Sequence, residues 1–380
     1  MQKRAQLATA TGRESALPPR PRDERLREVS LITKAMRRPE LGAIAGLIAV
    51  TVFFALTANP AMFSLQGAMT ILNPASQLGI LAIAAALLMI GGEFDLSIGS
   101  MIAFAGLVFG LLFITAHLPL VISILGTFAA AALVGVCNGQ LVIRTRLPSF
   151  IVTLAFMFIL RGLSLVGLKM ATGSTQMRGF HEAASGSLLV PLFSGNAFGG
   201  LFRQLAASGW VASFPNGQPS VPGVPVSILW FVAFALVATL VLLRTRVGNW
   251  IFAVGGDANS ARNSGVPVGA VKTALFVLTA CAAAFVAVST VLDAGSTDAM
   301  RGNQKEFQAV IASVIGGCLL TGGYGSAIGA FFGAVMFGMV SIGLTYTRFD
   351  SDWFQVFLGA MLLMAVIFNN YVRRRVTGER

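Results

Sequence analysis

Charge is scarce in this chain: Asp, Glu, Lys and Arg together make up 11% of its 380 residues, and only 15 of them are acids. Histidine occurs twice and cysteine three times. His117 and His181 are far apart in sequence, at or beyond the ends of apolar segments, so neither a metal-ligand spacing nor a catalytic dyad is present. Cys137, Cys281 and Cys318 fall in apolar segments without paired spacing and read as small buried hydrophobes. No Gly-x-x-x-x-Gly-Lys-Ser/Thr run occurs, and Lys272-Thr273 lacks the glycines a phosphate loop needs. If ATP drives this protein, another chain binds it. A nucleophile with its base, or acids clustered with histidine, is likewise missing from the apolar segments, which excludes an intramembrane enzyme; no cofactor is expected.

Apolar sequence is abundant. Hydrophobic residues reach 56% and the mean hydropathy is +0.79. Windows of 18 or more apolar residues recur, the length a helix needs to cross a bilayer. The fold class is therefore all-α and integral to the membrane, a polytopic helical bundle surrounded by lipid. Ten spans are expected, near 41–58, 74–92, 97–116, 119–143, 149–169, 224–243, 271–291, 307–321, 325–346 and 352–371.

Basic residues test that count, because Lys and Arg collect on the cytoplasmic side. Ten lie in the first 40 residues; Arg144 and Arg146 follow span four; Arg244, Arg246, Arg262 and Lys272 follow span six; Arg373, Arg374, Arg375 and Arg380 follow span ten. Together they are 20 of the 27 Lys and Arg residues. An even number of spans with both termini cytoplasmic places all of them on one side. The formal charge of +12 is then a topology signal and does not point to nucleic acid.

Three domain assignments follow. Residues 1–40 mix Arg, Pro, Ser and acids without an apolar period and read as a disordered basic cytoplasmic tail. Residues 41–372 form the transmembrane domain, with a cytoplasmic loop at 244–270 and an external loop at 170–223 rich in Pro and turn residues. Residues 373–380 are a second basic tail. The first apolar segment starts too far from Met1 for a cleavable signal and is long enough to stay as an anchor.

Two stretches carry candidate chemistry. Gly91-Gly92-Glu93-Phe94-Asp95-Leu96-Ser97-Ile98-Gly99 sets two carboxylates between long apolar segments, where an unpaired charge costs several kcal/mol. Either Glu93 and Asp95 fix the turn between spans two and three, or a broken segment lets their oxygens meet helix amino termini. Asp95 in its Asp-Leu-Ser pattern would cap span three. In the loop after Arg244, Asp257 or Asn259 caps about two helical turns over 258–264, and Gly265 followed by Pro267 ends them. A short rigid helix outside the membrane is either a handle for a soluble motor or an ordinary connector.

Four stretches, in order, resemble one family's signatures: Gly91 to Ser100; Pro148-Ser149-Phe150-Ile151-Val152-Thr153-Leu154-Ala155; Ala261-Arg262-Asn263-Ser264-Gly265-Val266; and Val314-Ile315-Gly316-Gly317 leading into Thr321-Gly322-Gly323-Tyr324-Gly325-Ser326. Over about residues 40–372 the chain is similar to the inner-membrane permeases of ribose, xylose and galactose type ABC importers, a group that includes autoinducer-2 permeases. The resemblance implies a second permease chain, cytoplasmic ABC ATPase subunits and a periplasmic solute-binding protein as partners. It also implies that Ala261, Arg262, Ser264 and Gly265 form the ATPase-coupling helix, with Arg262 as anchor, and that Gly92, Asp95, Ser97 and Gly99 form the signature turn.

The chain departs from the family at Glu93, where many members are apolar, and at Glu306-Phe307-Gln308-Ala309, where Glu-Leu-Asp-Ala is common. These departures bear on the choice of sugar more than on the fold. Arg161, about 18 Å along span five at 1.5 Å per residue, is no loop charge and is expected to be either paired or facing the pore, with a structural pair or an outer gate as its role. Asp298, Arg301, Lys305 and Glu306 are expected to form a mixed-charge outer mouth suited to docking a binding protein. The reading from a different class is an ion-coupled secondary transporter using Glu93 or Asp95.

Overall fold

The computed structural model describes residues 39–350 and 352–377. The expected amino-terminal tail, up to residue 38, and residues 378–380 of the carboxy-terminal one lie outside them. The fold is mostly helical. The principal helices are α1 (Pro39–Thr57), α2 (Leu65–Ile90), α3 (Ile98–Gly110, extended by a π-turn over Leu111–Thr115), α4 (Leu120–Thr145) and α5 (Ser149–Thr172). They continue as α6 (Val226–Arg244), α7 (Arg246–Gly256), α8 (Ala258–Asn263), α9 (Val268–Ala294), α10 (Lys305–Ile315), α11 (Ala327–Gly343) and α12 (Trp353–Thr377).

Among the described residues, eight helices are long and apolar enough to cross a membrane. The expected span at 307–321 is instead α10, 11 residues and about 16 Å long, half a bilayer. Gly316 and Gly317 stop it, Gly317 with a φ of 91° that favours glycine. The last helix, α12, is apolar only over Trp353–Ile367 and then continues as helix through Arg373, Arg374 and Arg375. Span two begins at Leu65, nine residues before the expected position, and accommodates Pro74 inside the helix. Ser64 caps it, accepting from the Gly67 N–H at 3.1 Å.

The two most buried helices, α2 and α9, pack together at the centre, with α3, α4, α6, α10 and α11 against them; α1 lies outside on α11 and α5 on α3 and α4. Helix α9 packs along α4 at close range because Gly135 and Gly139, four residues apart, lie against its backbone. A Cβ at either position would come within 2.8 Å of the Val277 or Thr273 Cα. This is the small-residue packing that lets helices approach in lipid, where the hydrophobic effect supplies no driving force between them. Cys318 is buried as expected, but Cys137, next to that glycine pair, is exposed on the bundle surface.

Two small sheets organise the outer loops. Strand β1 (Gln176–Arg178) pairs antiparallel with β4 (Ser296–Asp298), tying the long loop after α5 to the segment before α10. Strand β2 (Asn196–Ala197) pairs with β3 (Val224–Pro225) at the start of α6. An all-helical expectation missed these pairings, which are too short to leave a period in the sequence.

Candidate functional site

Residues 91–97 turn back into the bundle. After α2 ends at Ile90, Gly92 takes a φ of 82° and the chain runs inward without helical structure until α3 begins at Ile98. Its course is read from its partners on α9. Glu93 is ion-paired with Lys272 near the start of that helix, and Asp95 accepts from the Thr279 hydroxyl at 2.6 Å. Thr279 lies about 17 Å along α9, so α3 starts deep inside the bundle.

Irregular backbone at that depth survives only if its polar groups are satisfied by protein. The second family-like stretch satisfies them. Ser149 and Thr153, one turn apart on α5, accept through their hydroxyl oxygens from the backbone N–H groups of Phe94 and Leu96, each at 3.0 Å. Asp95 accepts from the Ser97 N–H at 2.8 Å and the Ser97 hydroxyl at 2.6 Å, and the Asn138 amide on α4 donates to Ser97 Oγ at 3.1 Å. Ser97 itself makes no capping bond to α3. Asp95 therefore organises the residue before the helix rather than capping the helix directly. Both carboxylates are buried and engaged, Glu93 by a lysine and Asp95 by three donors, which leaves neither free to hold a transported ion. The ion-coupled reading finds no support in this geometry.

A second broken passage meets the first. Beyond β4, residues 299–304 descend between the helices, Gln304 takes a left-handed conformation, and α10 starts at Lys305. Gly99 of α3 faces Gly302 and the Glu306 carboxylate so closely that a Cβ on Gly99 would overlap Glu306 Oε2. The starts of α3 and α10 thus lie side by side, and the Glu306 carboxylate sits by the positive end of α3, where the helix dipole favours it. Arg161, midway along α5, donates to Asn303 Oδ1. Asn303 and Gln304 remain exposed on the face of the bundle at this level.

This placement corrects the expected outer mouth. Glu306 is 2% exposed and packed against α3, so it cannot meet a docking protein, and Lys305 beside it opens α10 in the interior. The physical reason is the inward descent of 299–304, which carries both residues away from the surface. Only Asp298 and Arg301 stay near the outer end, 3.4 Å apart, with Arg301 also donating to the Thr290 carbonyl. Arg161 meets the neutral Asn303 amide, while its Nε and a second terminal nitrogen are buried without a hydrogen-bond partner among the described residues.

At the basic end of the bundle, Thr245 caps α7 by accepting from the Gly248 N–H. Sequence reading passed over α7, although Val247, Trp250, Ile251 and Val254 follow helical spacing behind that cap. Asp257 then caps α8, accepting from the N–H groups of Asn259 and Ser260, both at 2.8 Å. Those N–H bonds, Ser260 first and then Asn259, hold the Asp257 carboxyl below its ordinary value of 3.8. Ala261 is buried; Arg262, Ser264 and Gly265 are exposed, Gly265 with a φ of 82°. The Arg262 side chain makes no ion pair or hydrogen bond among the described residues.

Helix α7 joins α8 to the interior through glycine. Gly255 lies against the Ile90 carbonyl oxygen, and the Gly323 N–H donates to that same carbonyl at 2.8 Å. Gly322 packs on Gly92, and Gly323 on Gly256. The end of α2, the end of α7 and the turn between α10 and α11 therefore meet backbone to backbone at one point.

Comparison with known proteins agrees with this architecture. Residues 67–366 match the family model described as branched-chain amino acid transport system / permease component. The xylose transport system permease protein XylH of Escherichia coli K12 is 31% identical over 367 residues, covering 87% of this chain and 92% of that protein. The ribose import permease protein RbsC of the same organism is 29% identical, covering 89% and 95%, and the probable ABC transporter permease protein YphD is 29% identical, covering 88% and 91%. No solved structure matches the chain. With the family model spanning most of the sequence, this chain belongs to the branched-chain amino acid transport system / permease component family of membrane proteins.

Proposed function

We propose that this chain is the permease subunit of an ABC importer in a bacterial inner membrane, passing a monosaccharide or similar small polar solute delivered by a periplasmic binding protein. Hydrolysis of ATP falls to a partner chain. The observation that carries the reading is the join between α8 and the interior: an exposed arginine on a capped helix, connected through Gly255 to the end of α2 and the turn between α10 and α11. Motion imposed on α8 by a soluble ATPase reaches the paired starts of α3 and α10 through backbone contacts, without a soft side chain between them. The similarity to xylose and ribose permeases supports a sugar as cargo.

The topology follows from the basic residues. Arg144, Arg146, Arg244, Arg246 and Arg262 lie at the end of the bundle where α2 finishes, and the positive-inside rule makes that end cytoplasmic. The half-length α10, entering from the outer end and turning back at Gly316, supports this orientation. A second permease chain completes the pathway: Asn303 and Gln304, exposed at mid-bundle level beside Arg161, cannot face lipid without large cost. Facing a second copy across a watery path, they line it.

Coupling is tested at Arg262. With Arg262→Glu, the ATPase that co-purifies with the tagged wild-type chain in mild detergent is expected to be lost, together with ATP-driven uptake in vesicles. Retention of a stoichiometric ATPase by the variant would move the docking point elsewhere. Asp257 gives a second prediction on the same helix. Asp257→Ala, which removes the α8 cap, is expected to weaken ATPase association, whereas Asp257→Asn, which still accepts the two N–H bonds, retains it. Because the folded carboxyl titrates below its unfolded value, the cap is fully formed above the unfolded value and fails only as pH falls through the folded one. Wild-type association should therefore not change between pH 6 and 8, and a loss within that range that Asp257→Asn does not show would contradict this account.

A further inference from the structure

At the outer end of the bundle, α2, α9, the start of α6 and the loop carrying β2 enclose a cavity of about 240 Å³. Its lining holds polar groups with no work inside the fold. Ser289 on α9 is 6% exposed, and its hydroxyl is buried without a hydrogen-bond partner. Gln77 on α2, Asn196 on β2 and Asp293 on α9 also line it, and among the described residues their side chains make no hydrogen bond or ion pair. A buried hydroxyl left unpaired costs about 1–3 kcal/mol, so its position calls for a partner that enters from outside. Asn73 and Ser227, on the same wall, are bonded to each other at 2.9 Å.

The walls are fixed in place. The Trp230 indole N–H donates to the Leu192 carbonyl, the Val226 N–H donates to the Gly195 carbonyl at 3.0 Å, and β2 is paired to β3, so the loop bearing Asn196 is held over the cavity. Phe193 forms an apolar side of the cavity and packs with Phe285, whose ring also meets Trp230 and Phe234. Gln77, Asn196, Ser289 and Asp293 converge on a space closed by an aromatic ring, and no Lys or Arg lines it.

We infer that this cavity is a solute subsite within a single chain, taking a neutral polyhydroxylated molecule of monosaccharide size. Adjacent hydroxyls match the donor and acceptor mixture of Gln77, Asn196 and Ser289, the Asp293 carboxylate accepts from a pair of hydroxyls, and the C–H face of the solute lies on Phe193. The single uncompensated carboxylate disfavours anions. The site rests on the permease reading only for its role, a first resting place at the outer end before the solute reaches the starts of α3 and α10.

The test uses the full chain in lipid nanodiscs, without partner proteins, and saturation-transfer NMR with D-xylose and D-ribose as probes. Saturable binding is expected, weakened at least about tenfold by both Gln77→Leu and Asn196→Ala. The thermal unfolding midpoint should stay unchanged, because neither side chain bonds to the protein. Absence of saturable binding, wild-type binding by either variant, or tighter binding of ethanolamine than of either sugar would each overturn the inference. Uptake by the reconstituted importer separates this site from the function. ATP-driven import unaffected by the two variants sinks the subsite and leaves the importer standing, whereas sugar binding at the cavity without ATP-driven import sinks the importer and leaves the subsite.

Discussion

Gly255→Ala is expected to reduce ATP-driven uptake at least about tenfold and to lower the thermal stability of the isolated chain. A methyl group there would overlap the Ile90 carbonyl oxygen and lie 2.7 Å from the Gly323 nitrogen. Both are backbone atoms, already joined by a hydrogen bond, so no rotamer change relieves the overlap. Overpacking typically costs about 1–3 kcal/mol, and against immovable backbone the upper end applies. The next residue supplies the control: a methyl at Gly256 meets nothing within 4 Å, so Gly256→Ala should behave as wild type. Uptake in proteoliposomes with the partner subunits, and melting of the purified chain, check both variants. If Gly255→Ala transports and melts as wild type, the glycine junction is no link between α8 and the interior.

The second large effect concerns the ion pair between Glu93 and Lys272. Lys272→Ala is expected to destabilise the chain by about 3 kcal/mol, because it leaves the Glu93 carboxylate buried without a counter-charge. The side chains are only 9% and 19% exposed, so water compensates little of the loss. Replacing both partners changes the outcome. Glu93→Gln with Lys272→Met removes the charges together and should unfold within about 1 kcal/mol of wild type, since a buried pair usually contributes little beyond its own desolvation cost. Denaturant unfolding of the wild type, Lys272→Ala and the double variant in detergent checks both expectations. Transport by the double variant separates two roles for Glu93: it persists if the carboxylate only anchors the turn, and vanishes if Glu93 carries a coupling ion.

Much of the fold was legible because lipid imposes simple rules. Long apolar segments announce helices, and eight of the described ones meet that standard. Asp257 and Gly265 marked the bounds of α8 through cap and stop chemistry that acts within a few residues. Helix α7 had the same local signals and was passed over beside the stronger loop features. The interior was less legible. Glu306 stands eight residues beyond β4 and reads as part of an outer loop, yet it is buried beside Gly99, some two hundred residues earlier in the chain. Gln77, Asn196, Ser289 and Asp293 of the outer cavity come from α2, β2 and α9, and no spacing within one segment relates them.

The sequence by itself determined a multi-pass helical membrane protein without a phosphate-loop motif, a capped helix at its basic end, and a turn at Gly91 to Gly99 that had to be held by something. These properties depend on local composition: apolar length, the capping oxygen of Asp257, and the backbone freedom of Gly92. Only the tertiary structure decided what holds the turn. Ser149 and Thr153 satisfy its N–H groups, Lys272 and Thr279 its carboxylates, and Gly255 and Gly323 its entrance. The physical reason is that these are contacts of hydrogen-bond and van der Waals range between helices far apart in sequence. Apolar patterning tells each helix to enter the membrane and leaves its neighbours, depth and rotation to packing.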